Sequence, residues 1–267
     1  MKLEIDFTKS LHENAGDYYA LSKKGKKKLE GLAKGISAVE LKLAVERKVP
    51  EKKKVVKKRE RKWYEKFHYF FTSENFLVLG GRDAKSNETI VNKFMEKDDV
   101  YFHADIHGAP HVILKTEGKI PSEISLNEAA SFAATFSRGW QEQIPALDVY
   151  SARPEQVTKK APSGESVGLG AFMIYGQRVW YKKTKLECCV GVKKVGDLVE
   201  FFSGPRSAVE KSAKFVVKLG FGNLAKGDAA KKVLGFFENK LGLDLKNNLD
   251  DIVALLPNGS SKLDFDD

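Results

Sequence analysis

The apolar positions of this chain fall into two regimes. Leu29, Leu32, Ile36, Val39 and Leu43 recur at alternating steps of three and four, the a/d stripe of a coiled-coil seam. Tyr18 fits the same frame further back, while Ser22 and Gly25 occupy seam positions and weaken its first part. Pro50 ends or turns this helix, because the residue before a proline is pushed out of the helical region. From Trp63 onward strand signals take over. FHYFF (67–71) and NFLVLGG (75–81) are aromatic and branched runs separated by the polar turn TSE, which predicts a hairpin.

Helical spacing at Ile90, Val91, Phe94 and Met95 predicts a helix over 83–96 with Asp83 as its cap. Short strands are expected at 100–103 and 111–116. The box Ser125-Leu-Asn-Glu128 is expected to open a helix running to Trp140, whose Ala129, Ala130, Ala133 and Ala134 permit close packing on a sheet. Further strands are expected at 147–152, 171–181 with a break at Gly176-Gln177, 186–194 and 197–202. After Pro205 the chain reads as helical over 205–219, 225–241 and 247–256. The pattern predicts an α+β fold: a mixed or mostly antiparallel sheet with packed helices, preceded by a basic coiled-coil-like helical arm. The expected division is an arm over 1–62, an α+β domain over 63–204 and a C-terminal helical extension over 205–267.

Charge sharpens this division. Residues 22–66 hold 18 of the 46 Lys and Arg but only 6 of the 36 Asp and Glu, so one segment carries the whole basic excess behind the net charge of +10. A basic rod beside a near-neutral body suits neutralisation of phosphates, which supplies most sequence-independent affinity for nucleic acid. An acidic membrane surface or a partner protein docking on the seam is the competing use. No run of roughly 18 apolar residues predicts a membrane span, and MKLEIDFTKS lacks the apolar core of a secretory signal. A cytoplasmic protein without a membrane partner is expected. The two cysteines, Cys188 and Cys189, are adjacent in a strand, point to opposite faces and are expected to be ordinary thiols of a reducing compartment.

Three clusters carry candidate chemistry. GGRDAKSNE (80–88) sets two glycines between a strand and a helix start, with Arg82 adjacent, where free N–H groups could meet an anion. It is neither a Walker loop nor a dinucleotide fingerprint, and a structural strand-to-helix turn explains the same letters. HADIHGAPH brings His103, Asp105, His107 and His111 within nine residues, a donor set suited to a divalent metal or to proton transfer. A polar turn held by His–Asp hydrogen bonds is the structural alternative. VTKKAPSGE (157–165) offers Lys159 and Lys160 to a phosphate, and its Ser163 lacks the spacing of a nucleophile elbow. Trp140, Tyr150, Trp180 and Tyr181 are candidate stacking surfaces for bases, whereas Phe70, Phe76 and Phe172 are expected in the core.

Together these segments resemble a known family. WYEKFHYFFTSENFLVLGGRDAKSNETIV, VYFHADIHGAPHVILK, EAASFAATFSRGW, DVYSARPEQVTKKAPSGE and GAFMIYGQ are similar, in order and spacing over roughly 63–182, to the NFACT-R RNA-binding domain of the NEMF/RqcH family. LEIDFTKSLHENAGDYYALSKKGKKKLEG resembles the start of that family's coiled-coil middle region, and the C-terminal helices resemble archaeal members more loosely. Lys-Ser stands where many relatives carry two glutamines in GGRDA-x-x-NE.

The resemblance implies a non-enzymatic ribosome-associated quality-control factor, without metal or other cofactor. Such a factor docks on large ribosomal subunits obstructed by peptidyl-tRNA and supports tRNA recruitment and C-terminal tailing. Its implied partners are the rRNA of the large subunit and tRNA; since the chain begins where the family's middle region begins, the resemblance implies either a split half that works with a separately encoded N-terminal half or a fragment of a longer protein. The implied RNA-contacting positions on the domain are Arg82, Asp83, Asn87, Glu88, His103, Asp105, His107, Lys159, Lys160 and Ser163. On the basic arm they are Lys52, Lys53, Lys54, Lys57, Lys58, Arg59 and Arg61. The alternative from the residues alone is a metal-dependent hydrolase or nuclease centred on His103, Asp105 and His107.

Overall fold

The structure, a computed structural model, describes residues 4–46, 54–55, 60–161, 166–196 and 198–265, without the side chains of 41–46 and 54–55. The chain divides into two compact units, 1–53 and 54–267.

The first unit is dominated by one helix, α1 (Leu11–Glu46). Its start is fixed by a reciprocal cap absent from the expectations above. Ser10 N–H donates to Glu13 Oε2 at 2.7 Å, and Glu13 N–H to Ser10 Oγ at 3.3 Å. Asn14, buried at the first turn, donates to the carbonyl of Asp6 and accepts from its N–H, folding residues 4–9 back on the helix. Leu29, Leu32, Ile36 and Val39 are all more than half exposed along one stripe. The side chain of Leu43 and all of Pro50 lie outside the described residues.

The second unit carries fourteen short strands and six α-helices among the described residues. In chain order they are β1 (Lys54–Val55), β2 (His68–Phe71), β3 (Leu77–Gly80), α2 (Ala84–Thr89), β4 (Val100–Ala104), β5 (Val112–Lys115), α3 (Glu123–Thr135), α4 (Arg138–Gln141) and β6 (Ala146–Ala152). There follow β7 (Val157–Thr158), β8 (Met173–Ile174), β9 (Val179–Lys185), β10 (Cys188–Val195), β11 (Leu198–Gly204), α5 (Arg206–Ser212), β12 (Phe215–Leu224), α6 (Lys226–Leu241), β13 (Leu243–Asp244), α7 (Leu249–Leu255) and β14 (Ser261–Phe265). Six strands form an antiparallel sheet in the order β2-β3-β5-β4-β6-β9, and four form a second one in the order β11-β10-β12-β14. β7 pairs with β8, and β1 runs parallel to β13. The fold is therefore α+β, a long helix followed by antiparallel sheets with packed helices.

The hairpin β2–β3 pairs His68 with Gly80 and Phe71 with Leu77, and both faces of β3 are covered. The alanine-rich helix α3 lies on the six-stranded sheet as its composition predicts. Ala129, Ala130, Ala133 and Ala134 are fully buried, which lets the backbone approach the strands closely, and Phe132 fills the space over Gly80.

Three local expectations change. The helix opened by Ser125 and Glu128 instead begins at Glu123, and both residues are buried inside it. Ser125 Oγ donates to Glu74 Oε2 at 2.6 Å, while Glu128 accepts from Ser73 N–H and Ser207 Oγ, so this box ties α3 to the β2–β3 turn and to α5. The stretch after Pro205 is helical only to Ser212 and then becomes β12, because FVVKLGFGNL is β-branched, aromatic and glycine-containing. Strands β12 and β14 close the four-stranded sheet, so residues 205–267 are not purely helical. Trp140, a candidate stacking surface, is fully buried and donates from Nε1 to Ser261 Oγ at 3.3 Å.

Candidate nucleic-acid interface

The first two chemical clusters and residues 169–171, just beyond the third, converge on one face of the second unit. The end of β3 and start of α2, the turn between β4 and β5, and residues 169–171 surround a groove of about 640 Å³, with residues 136–138 and Asn258 completing its wall.

Most of the motif residues build this groove rather than project into it. Asp83 caps α2 by accepting from Ser86 N–H at 2.7 Å, while Ser86 Oγ accepts from Asp83 N–H, and the first of these bonds holds the Asp83 carboxyl below its ordinary range. Asn87 Oδ1 accepts the N–H of His111 at 3.0 Å, and Gly81 N–H donates to the carbonyl of His111. These two contacts lock the GGRDA turn to the start of β5. Glu88 Oε2 lies 2.6 Å from Lys159 Nζ and accepts from Gly170 N–H at 2.8 Å, which pins Lys159 and Gly170 onto α2. Lys159, first among the causes, keeps Glu88 ionised to lower pH than usual. Gly170 sits at φ +74° with Ala84 so close that a Cβ would meet its carbonyl oxygen at 2.5 Å, so the loop can lie on the helix only with glycine there. Lys159, offered above to a phosphate, is thus engaged with Glu88, with the carbonyl of Gly168 and with the ring of Phe172. Lys160 has an exposed side chain and a carbonyl that accepts from Tyr175 Oη.

The histidines are not equivalent. His111 is buried and hydrogen-bonded through Nδ1 to Tyr101 Oη, and burial pushes its pKa down to about 3. Burial likewise lowers His103 to about 4. His107 and Asp105 are exposed, but only His107 lines the groove. Among the described residues no group of three His, Cys, Asp or Glu side chains is placed to hold a metal ion. His103, Asp105 and His107 are dispersed around the turn, and the hydrolase alternative finds no support in their geometry.

An aromatic row leads away from the groove across the sheet. His103, Tyr150 and Trp180 face one another in register on β4, β6 and β9, so they share a face. Ring centroids are 5.8 Å apart for His103 and Tyr150 and 5.3 Å apart for Tyr150 and Trp180. Arg178 lies over Tyr150 and Lys182 over Trp180. Trp180 is 39% exposed on a strand that pairs only with β6, whereas Tyr181 turns to Phe102 on the opposite face. A half-exposed indole flanked by cations is suited to stacking on an unpaired base.

Of the basic-arm positions, Arg61 is exposed and donates to Asp251 Oδ1 at 3.1 Å. The side chain of Lys54, and all of Lys52, Lys53, Lys57, Lys58, Arg59 and Ser163, lie outside the described residues. The sequence reading passed over His68, Arg138, Lys226 and Asn258. A lone histidine in the apolar run FHYFF and a lysine at the start of an amphipathic helix carry no motif signal.

The NFACT protein RNA binding domain family matches residues 66–176, the stretch that supplies most of this groove. The chain is similar to the archaeal Rqc2 homolog aRqcH of Methanocaldococcus jannaschii, 41% identical over 79% of this chain and 30% of that protein. It is also similar to the ribosome quality control complex subunit NEMF homolog of Drosophila melanogaster, 38% identical over 66% of this chain and 18% of that protein. The corresponding figures for human NEMF are 36%, 62% and 16%. The chain thus spans less than a third of the length of the curated relatives it matches. No described helix is long and apolar enough to cross a membrane. Through its NFACT RNA-binding domain, this chain belongs to the NEMF/Rqc2/RqcH family.

Proposed function

We propose that this chain is an RNA-binding module of ribosome-associated quality control that docks on large ribosomal subunits obstructed by peptidyl-tRNA and supports tRNA recruitment for C-terminal tailing. The observation that carries the reading is the convergence of the 80–88 and 103–111 motif loops with residues 169–171 on one groove, continuous through His103 with the Tyr150–Trp180 row, in the segment that matches the RNA-binding domain. The domain binds without bond making or breaking. Basic side chains neutralise phosphates, the groove reads backbone shape, and Trp180 takes an unpaired base. The segment around Lys52, Lys53, Lys54, Lys57, Lys58 and Arg59 adds sequence-independent affinity along rRNA.

Co-sedimentation with empty and peptidyl-tRNA-bound large subunits, at low and near-physiological salt, tests this function. Binding that favours the obstructed subunit and weakens steeply with salt is expected. Charge reversal at Lys52, Lys53, Lys54, Lys57 and Lys58 should flatten the salt dependence, and Trp180→Ala should cost about 1–3 kcal/mol in binding to single-stranded RNA. Absence of sedimentation under both salt conditions would remove ribosome docking from the chain.

A further inference from the structure

Lys226 opens α6, fifty residues beyond the matched RNA-binding segment, yet it reaches the groove. Its Nζ donates to Asn258 Oδ1 at 2.9 Å, and Asn258 lines the groove together with His68 and Arg82. Lys226 is half-buried, whereas the neighbouring Arg82 keeps an exposed side chain. Burial, reinforced by the charge of Arg82, pulls the Lys226 pKa down to about 8, and burial also lowers that of Arg82. Neither has a carboxylate within ion-pair distance among the described residues. Lys226 meets a neutral amide oxygen, and Arg82 donates from Nη2 to the carbonyl of Phe67. Asp83, next to Arg82, is engaged as the cap of α2, and Asp228 in the first turn of α6 lies 3.3 Å from Lys231. A half-buried ammonium beside a second cation, with no counter-ion of its own, is a place where an anion is favoured.

His68 supplies an independent sign. It is only 7% exposed, lines the same groove against Phe136, and its Nδ1 has no hydrogen-bond partner among the described residues. Burial keeps the ring neutral. A buried N–H without an acceptor is the rarer defect, so the single proton belongs on Nε2, which makes neutral His68 a donor. Ala225 at the N-cap of the sixteen-residue α6 gives no side-chain cap, and nothing lies within 4 Å of a Cβ built on Gly227, so the start of the helix beside Lys226 is uncapped by a side chain and uncrowded at Gly227.

We propose that His68, Arg82, Lys226 and Asn258, with the first turn of α6, form a subsite for one backbone phosphate of an RNA strand. It rests on the RNA-binding reading above and extends the interface beyond the matched domain. A phosphodiester offers acceptor oxygens alone, which suits a donor set of guanidinium, ammonium, imidazole N–H and amide N–H. The contact carries no base information, so it positions the strand while the aromatic row selects unpaired bases.

Binding of labelled oligouridylate and oligoadenylate to the full chain is measured against salt for wild type, Lys226→Met and Asn258→Ala. Lys226→Met keeps the aliphatic stem, and its cooperative unfolding near the wild-type temperature verifies the fold. It should weaken both oligomers equally, severalfold, and reduce the slope of log K against log salt by about 0.7, the value for one phosphate contact on a single strand. Asn258→Ala should weaken both by less. Wild-type affinity and slope in Lys226→Met overturn the subsite while leaving RNA binding intact. If wild type binds neither oligomer, the RNA reading fails, and titration with inorganic phosphate decides the subsite alone. Saturable NMR shifts at the His68 ring and Gly227 amide, absent in Lys226→Met, support it, and no shifts overturn it. An oligoglutamate peptide that displaces phosphate at equal or lower concentration would also overturn it, by replacing the phosphate with a carboxylate.

Discussion

Gly81→Ala isolates the joint on which the groove depends. Gly81 has no unusual backbone angle, so the consequence is purely steric. A Cβ there would lie 1.8 Å from Asn87 Oδ1, 2.7 Å from its Cγ and 2.9 Å from its backbone nitrogen. The side chain of Asn87 must swing away, which removes the acceptor of His111 N–H at 3.0 Å, and the remaining approach to the α2 backbone forces a shift of the turn. An amide left unpaired costs about 1–3 kcal/mol and overpacking about 1–3 kcal/mol, so the expected loss is about 2–6 kcal/mol in urea unfolding. Asn87→Ala alone should cost only the first part. In that background Gly81→Ala should be milder than in the wild type, because the worst contact is gone and the two residues are coupled. A Gly81→Ala protein within about 0.5 kcal/mol of wild type would refute the argument that Asn87 is locked between the turn and β5.

The remaining predictions concern the loop and the histidines. Glu88→Ala should release Lys159 and Gly170 together, raising amide exchange over 166–171 while leaving that of β3 and β5 unchanged; unaltered exchange in the loop would show that other contacts hold it. His68, His103 and His111 all have folded-state pKa values below the unfolded 6.5, so the unfolded chain binds more protons as pH falls. Their contribution is full above about pH 6.5 and declines toward the folded values near 4 and 3, with each histidine adding up to about 1.4 kcal/mol of lost stability per pH unit. Between pH 6.5 and 5 the carboxylates titrate little, and a flat stability there would contradict the burial of these rings.

Much of this protein was legible in its sequence because the relevant signals are local. The hairpin of 67–81, the Asp83 cap, the alanine face of α3 and the break at Gly176 follow from periodicity, capping and turn chemistry within a few residues. The segregation of positive charge and the order of the motif strings are also properties of the chain alone, and they were enough to indicate the family. The failures share a different cause. Ser125 and Glu128 have the letters of a helix start, but Glu74, Ser73 and Ser207 arrive from distant elements and offer them better partners inside the helix. The run after Ser212 follows a helix yet becomes an inner strand of a sheet, which exists only once β10 and β14 are in place on either side of it. The roles at the groove were decided in the same way. Asn87, Glu88 and Lys159 hold loops because the fold brings His111 and Gly170 to them, and Lys226 faces Arg82 only through the packing of a helix that begins more than 140 residues later. Hydrogen bonds and desolvation depend on which groups meet in space, and that meeting is set by tertiary packing rather than by any short stretch of sequence.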